Sequence, residues 1–400
     1  MADNFINNFS NNLKVKMVAA AAADNMDYIK ASRSYMSQAE LQGKKFGREY
    51  KVYIPDPGKV VNGLVADPDA VDEVEVPIML DNNNNSLELT AWNALTDVEN
   101  FKEEIAKPRG IALARKTQAD IVKANVFKSA QAVVAAAPGF GVLSDAAAAL
   151  DELAVAGEVV SFMKPEVMGK ISASGLANFI AAQEAKEIYG KNALGTYAGA
   201  TQIELAVLPV LSTPADMSAT ISLTQVPDAD SNVIGFNPVT SITAGAGVTL
   251  KPGFAYKATG LKVVDGSGIQ TEQDYAIITI GADGSIPELR ITIDGKGYNN
   301  PNAWVEAGTT TLTLTPILTA SKKYWVGQVR TVDALAFDDY KFEDLPGSDN
   351  EAVATVGGVT VKMGEYGNGT TLTKLVRLDL PYASGIVEHR GSVTVYILKA

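Results

Sequence analysis

Two runs with a period of two, separated by a turn-rich stretch, most constrain what this chain can fold into. Phe46, Tyr50, Val52 and Ile54 alternate with polar residues, and Val74, Val76, Ile78 and Leu80 do the same further on. A period of two marks half-buried strands. Residues 43–91 are therefore predicted to form a long β-hairpin. Its tip runs from Pro55-Asp56-Pro57-Gly58 to Asp67-Pro68-Asp69. The outgoing strand is basic, with Lys44, Lys45, Arg48 and Lys51; the tip and return are acidic, with Asp67, Asp69, Asp72, Glu73 and Glu75. A lone hairpin is marginally stable in water. These nine residues are accordingly the candidate inter-subunit contacts, each exposed pair contributing at most about 1 kcal/mol.

Residues 1–42 hold few large apolar side chains and read as an arm that needs its own body or a neighbour to lie on. Residues 96–107 suggest a short helix with a Thr96/Glu99 capping box. Pro108 suits the first turn of a second helix, predicted to run to about Ala137 and to stop at Pro138-Gly139. At that length it would be a rod of roughly 43 Å. Its polar face carries Arg115, Lys116, Lys123 and Lys128. Residues 142–215 alternate helix and strand signals. Residues 218–320 are rich in Thr, Val, Ile and Gly, with turns at Asp265-Gly266, Asp283-Gly284, Asp294-Gly295 and Asn299-Asn300-Pro301. That spacing implies a small β-barrel or sandwich inserted between mixed segments. Strands return at 324–330, 359–362, 372–380 and 393–398.

Composition removes several function classes. The chain has 400 residues, no cysteine and one histidine, His389. Thiolate chemistry and Cys-ligated zinc are excluded, and a histidine-based metal site lacks partners. No phosphate loop or dinucleotide fingerprint is present; Gly139-Phe140-Gly141 reads as part of a helix stop. Asp338-Asp339 and Glu343-Asp344 could bind a cation, but a solvated acidic loop is the simpler reading. Asp81–Asn85 lacks the glycine and glutamate of a calcium loop and reads as a turn at the hairpin base. His389, between Glu388 and Arg390, reads as a surface or interface residue. The net charge of −12 disfavours a phosphate-clamping face. The run Ala19–Ala23 lacks the bulky residues of a signal peptide, and no apolar run reaches membrane-spanning length. The expectation is no enzyme, no cofactor, no metal, no membrane and no sequence-specific nucleic-acid partner.

Three segments carry a resemblance. Residues 249–280, TLKPGFAYKATGLKVVDGSGIQTEQDYAIITI, are similar to an insertion-domain pattern in which LKPGD precedes an apolar strand ending in glycine; Phe254 stands where aspartate is common. Residues 161–175, SFMKPEVMGKISASG, and 194–213, LGTYAGATQIELAVLPVLST, are similar to two further stretches of the same family. On these residues the chain resembles the major capsid proteins of tailed bacteriophages, specifically the P22-like coat protein family.

The resemblance implies an α+β, HK97-like capsid fold with a long spine helix, an extended β-hairpin loop and an inserted small β-barrel. Residues 1–42 would be the N-terminal arm and 43–91 the extended loop. The peripheral domain would be 92–155, with spine helix 108–137, completed by 353–400. Residues 156–217 and 321–352 would form the axial domain, and 218–320 the insertion domain. The implied function is self-assembly into an icosahedral shell around phage DNA. The partner is the chain itself, in hundreds of copies arranged as hexamers and pentamers. A scaffolding protein and a portal are also implied, with room for a decoration protein. The expected location is the virion, after assembly in the host cytoplasm. An encapsulin-type bacterial nanocompartment shell is the alternative, disfavoured by the β-rich insert. A carbohydrate-binding or tail structural module is disfavoured by the long helix.

Overall fold

Val15, Val18, Ala19, Ala22 and Ala23 recur at three- and four-residue spacing, and in the computed structural model they form the buried stripe of an N-terminal helix. The structure describes residues 2–35, 49–55, 73–90, 106–129, 131–152, 157–174, 196–226, 235–245, 253–260, 262–264, 270–272, 275–278, 303–340, 349–368, 373–389 and 391–399. In chain order the helices are α1 (Ala2–Asp24), α2 (Asp27–Lys30), α3 (Lys107–Asn125), α4 (Phe140–Glu152) and α5 (Pro165–Ala173). The first strands are β1 (Glu49–Pro55), β2 (Glu73–Thr90), β3 (Gln131–Ala135), β4 (Val159–Met163), β5 (Thr196–Tyr197), β6 (Ala200–Glu204) and β7 (Val210–Ser212). A β-rich block follows, with β8 (Ala219–Gln225), β9 (Phe236–Ala244), β10 (Ala255–Ala258), β11 (Lys262–Val264), β12 (Gln270–Glu272), β13 (Tyr275–Ile278), β14 (Ala303–Glu306) and β15 (Thr311–Pro316). The chain closes with β16 (Lys323–Thr331), β17 (Leu335–Asp339), β18 (Asp349–Val356), β19 (Val359–Asn368), β20 (Thr373–Ile386) and β21 (Ser392–Leu398). The mixed α and β content agrees with the predicted class. Two compact units result, Met1–Val52 with Pro77–Val122 and Leu335–Gly385, and Tyr53–Val76 with Lys123–Ala334 and Ile386–Ala400.

The first unit is built on a sheet ordered β1-β2-β20-β19-β18, with β17 also paired to β20. β18 and β19 are joined by Gly357-Gly358, both at positive φ (57° and 75°), which suits a tight two-residue hairpin turn. α1 packs on this hairpin. α3 buries Gly110, Leu113, Ala114, Thr117, Gln118, Ile121 and Val122, a helical stripe read directly from their spacing. α1 and α3 approach closely at Gly110. A Cβ there would lie 2.7 Å from the Val18 carbonyl oxygen and 2.8 Å from the Ala21 Cβ. The alanine run is thus a packing face for a close helix approach. The described arm residues from Val15 to Ala31 are largely buried within their own unit, so the arm lies on its own body rather than waiting for a neighbour to supply a core.

The polar run Asp81–Asn85 is not a turn. It continues β2, which pairs with β20 without interruption from Met79↔Ser384 to Thr90↔Thr373. Specific partners hold these poor strand formers in place. Asn83 Nδ2 donates to Thr117 Oγ1 and Asp120 Oδ2, both at 3.1 Å, and Asn82 Nδ2 donates to Asp379 Oδ1 at 2.8 Å. Arg109 bonds Asn85 Oδ1. The Asp81 side chain accepts from Tyr382 Oη at 3.2 Å and its carbonyl from Tyr340 Oη at 2.9 Å. Burial, reinforced by the Asp81 charge, pushes the Tyr340 phenol up to about 12.

The second unit contains a sheet ordered β3-β21-β16-β4-β6-β5, with β7 paired to β16. α4 and α5 supply Val142, Leu143, Ala146, Leu150, Val167, Met168 and Ile171 to a core shared with Trp325, Val329, Val393, Val395 and Ile397. Pro165 opens α5 as its sequence position predicts.

The long helix is shorter than predicted. α3 ends at Asn125, giving about 28 Å rather than the expected rod, and residues 131–135 form β3, parallel to β21. The reason is a set of competing partners. The Asn125 carbonyl accepts from the Lys128 N–H at 3.0 Å and from Gln328 Nε2 at 3.2 Å, and Thr394 Oγ1 donates to the Val126 carbonyl at 2.9 Å. The Asn125 side chain accepts the Ile386 N–H at 3.2 Å. The last turn is therefore capped by groups far away in sequence. Pro138-Gly139 does not stop this helix; it immediately precedes α4.

Strands β8 to β15 form an antiparallel array ordered β12-β11-β14-β9-β8-β15-β10-β13. Among the described residues these strands pair with one another and with no strand outside the block. The described pairings make an open path, without a pair joining β12 to β13. Tyr396 Oη on β21 donates to the Gly253 carbonyl at 2.7 Å. The predicted short helix at 96–107 lies outside the described residues up to position 105, as do the expected strands at 248–250 and 289–293 and the turns at 265–266, 283–284, 294–295 and 299–301.

Candidate functional site

The alternation that opened the sequence reading survives as two-faced strands. On β1, Tyr50 and Val52 are buried while Glu49, Lys51 and Tyr53 are exposed. On β2, Val76 and Ile78 are buried while Pro77 and Met79 are exposed. β1 and β2 are neighbours in the sheet, as a hairpin requires. Met79 and Tyr53 are the two most exposed large apolar side chains among the described residues, at 56% and 55%. A register slip of one residue would exchange the two faces. The outward placement of these two side chains is therefore set by the inward placement of Tyr50, Val52, Val76 and Ile78.

Of the nine charged candidates, Lys51 is an exposed residue of β1, and Glu73 and Glu75 lie on β2. Lys44, Lys45, Arg48, Asp67, Asp69 and Asp72 lie outside the described residues. The structure thus places three of the nine on the paired strands.

Asp338 departs from the solvated loop its sequence predicts. It occupies β17 and is 2% exposed. Its Oδ1 accepts from Ser34 Oγ at 2.6 Å and from the Tyr35 N–H at 3.0 Å. Its Oδ2 accepts from Tyr50 Oη. Burial, followed by the adjacent Asp338 charge, drives the Tyr50 phenol far above its ordinary range. Thr360 donates to Asp339. Both carboxylates therefore face protein donors where a cation was considered. Glu343 and Asp344 lie outside the described residues. Among the described residues, no group of three or more His, Asp or Glu side chains is placed to hold a metal ion. His389 is buried rather than on the surface, with Nδ1 3.4 Å from the Lys128 carbonyl.

A second cluster had no sequence signal. The Trp325 indole N–H donates to Glu166 Oε2 at 3.2 Å, and the Lys170 ammonium sits 4.3 Å from the ring centroid. Lys399 approaches the same ring at 5.5 Å and Glu166 at 4.0 Å. Glu166 and Lys170 stand four residues apart on α5, but Trp325 and Lys399 are distant in sequence, and only the folding of α5, β16 and the end of β21 brings the four together. They form a polar lid over an aromatic anchor of the core.

No protein-family model matches the chain, and no curated protein matches it. Among solved structures it is similar to the capsid of Ralstonia phage GP4, at 8% identity and a TM-score of 0.47, over 89% of this chain and 85% of that one. It is also similar to the capsid of cyanophage P-SCSP1u, at 10% identity and 0.46, over 92% and 86%. The mature capsid of bacteriophage PhiM1 gives 10% identity and 0.45 over the same shares. These likenesses are distant. No described helix is long and apolar enough to cross a membrane.

Proposed function

We propose that this chain is a shell-forming subunit, a major capsid protein of a tailed bacteriophage, and that copies of it bury one another's hairpin faces. The observation that carries the reading is the outward face of the hairpin strands. Tyr and Met are enriched at protein interfaces, and here they are held in the open by strands whose other face is packed. The resemblance of residues 249–280 to a coat-protein insertion domain points the same way. On this reading α3 is the spine helix, the β8–β15 array is the inserted domain, and α5 with β4, β6, β7 and β16 belongs to the axial domain. Scaffolding and portal proteins would be further partners.

The test is the double variant Tyr53→Asp/Met79→Asp. Burial of each side chain contributes about 1.5–3 kcal/mol. Losing both is expected to weaken association of copies by roughly 100-fold or more. Thermal unfolding of the unassembled chain should be unchanged, because both side chains are exposed. Sedimentation velocity reads the outcome. Assembly at the parental concentration would contradict the role given to this face.

A further inference from the structure

We infer that Asp338 couples the N-terminal arm to the first hairpin strand, so that loosening either one loosens the other. Its consequence for assembly rests on the shell reading; the coupling itself does not. The arm reaches β17 as a short parallel bridge between Arg33 and Ala336. Arg33 N–H donates to the Leu335 carbonyl at 2.9 Å, and Phe337 N–H donates to the Arg33 carbonyl at 3.0 Å. The next two arm residues then bond the Asp338 carboxylate. The two oxygens divide the work. Oδ1 takes Ser34 Oγ and the Tyr35 N–H from the arm, while Oδ2 takes Tyr50 Oη from β1.

That division is one an amide cannot reproduce unchanged. A carboxylate is acceptor-only at both oxygens, whereas an asparagine offers one acceptor and one donor. Asparagine at 338 must therefore turn its NH₂ toward either the arm donors or the Tyr50 hydroxyl. With the NH₂ toward the arm, the Tyr35 N–H loses its acceptor; with the NH₂ toward Tyr50, the hydroxyl becomes the acceptor and its own proton loses its partner. Asp338 and Tyr50 are buried, so on the hairpin side water does not replace a missing partner, whereas Ser34 on the arm side is exposed. Tyr50 is itself a buried residue of β1, so its ring position and the carboxylate position are set together. A displaced arm moves the carboxylate, and the carboxylate moves Tyr50. In a shell subunit this would link the position of the arm to the geometry of the hairpin that meets the next copy.

Hydrogen exchange on the unassembled full chain tests the coupling without reference to assembly. Tyr50→Phe removes only the β1 donor, and Ser34→Ala removes only an arm donor. Coupling predicts that Tyr50→Phe speeds exchange of amides 33–35 at least tenfold, and that Ser34→Ala speeds exchange at 49–52. Asp338→Asn should speed both. If each single variant alters only its own segment, the coupling is wrong, even should Asp338→Asn fail to fold. Sedimentation of the same variants reads the shell hypothesis separately. A chain that never assembles but shows reciprocal exchange would keep the coupling and lose the shell.

Discussion

Trp325→Ala is expected to lower the stability of the second unit by about 3–5 kcal/mol. Trp325 is 1% exposed and shares its core with residues of α4, α5 and β21. Truncation leaves a cavity that helices anchored on a sheet cannot fully close. It also leaves the Lys170 and Lys399 ammonium groups without the ring they flank, and Glu166 without the indole donor. The charged partners are about half exposed, so their own ion pairs add little. The packing loss dominates. Calorimetry of the unassembled chain should show one transition falling by about 10 °C. Trp325→Phe should recover most of that loss, since it restores volume without the indole N–H. A shift of only a degree or two for Trp325→Ala would show that this core is not what holds the unit together.

The second large effect is expected at Gly110. In an isolated helix, Gly→Ala stabilises by about 1 kcal/mol. Here the added Cβ would meet the Val18 carbonyl and the Ala21 Cβ well inside contact distance. Backbone and a methyl without rotamers cannot step aside. Gly110→Ala should therefore destabilise despite the propensity gain, and Gly110→Leu should cost about 3 kcal/mol by forcing α1 off α3. The sign of the alanine variant is the decisive quantity. Stabilisation on urea unfolding would mean that α1 and α3 do not approach closely at this point.

What could be read from the sequence was local and periodic. The hairpin alternation, the start of α5 at Pro165 and strands β16 and β21 needed no information beyond their own residues. The end of α3 was not legible. Residues 126–137 are compatible with a helix, and it is Thr394 at the Val126 carbonyl and the β21 edge at 131–135, both far away in sequence, that claim their backbone. The Asn run misled for the same reason. Asparagine is a turn former by propensity, but Thr117, Asp120 and Asp379 hold it extended. Gly357-Gly358, two glycines between valines, mark a tight hairpin in the sequence itself. Asp338 could not be recognised as a junction, since its partners Ser34, Tyr35 and Tyr50 lie about 300 residues upstream. The arm looks short of apolar groups because alanine is small. Close approach at Gly110 is what turns the alanines into a packing surface.

Sedimentation velocity of the purified full chain across a wide concentration range, with electron microscopy of the fast-moving fraction, tests the central claim most directly. The account predicts large species whose fraction rises steeply with concentration and whose images are closed shells. A single slow boundary of lone subunits at every concentration, with or without a scaffolding partner, would contradict it.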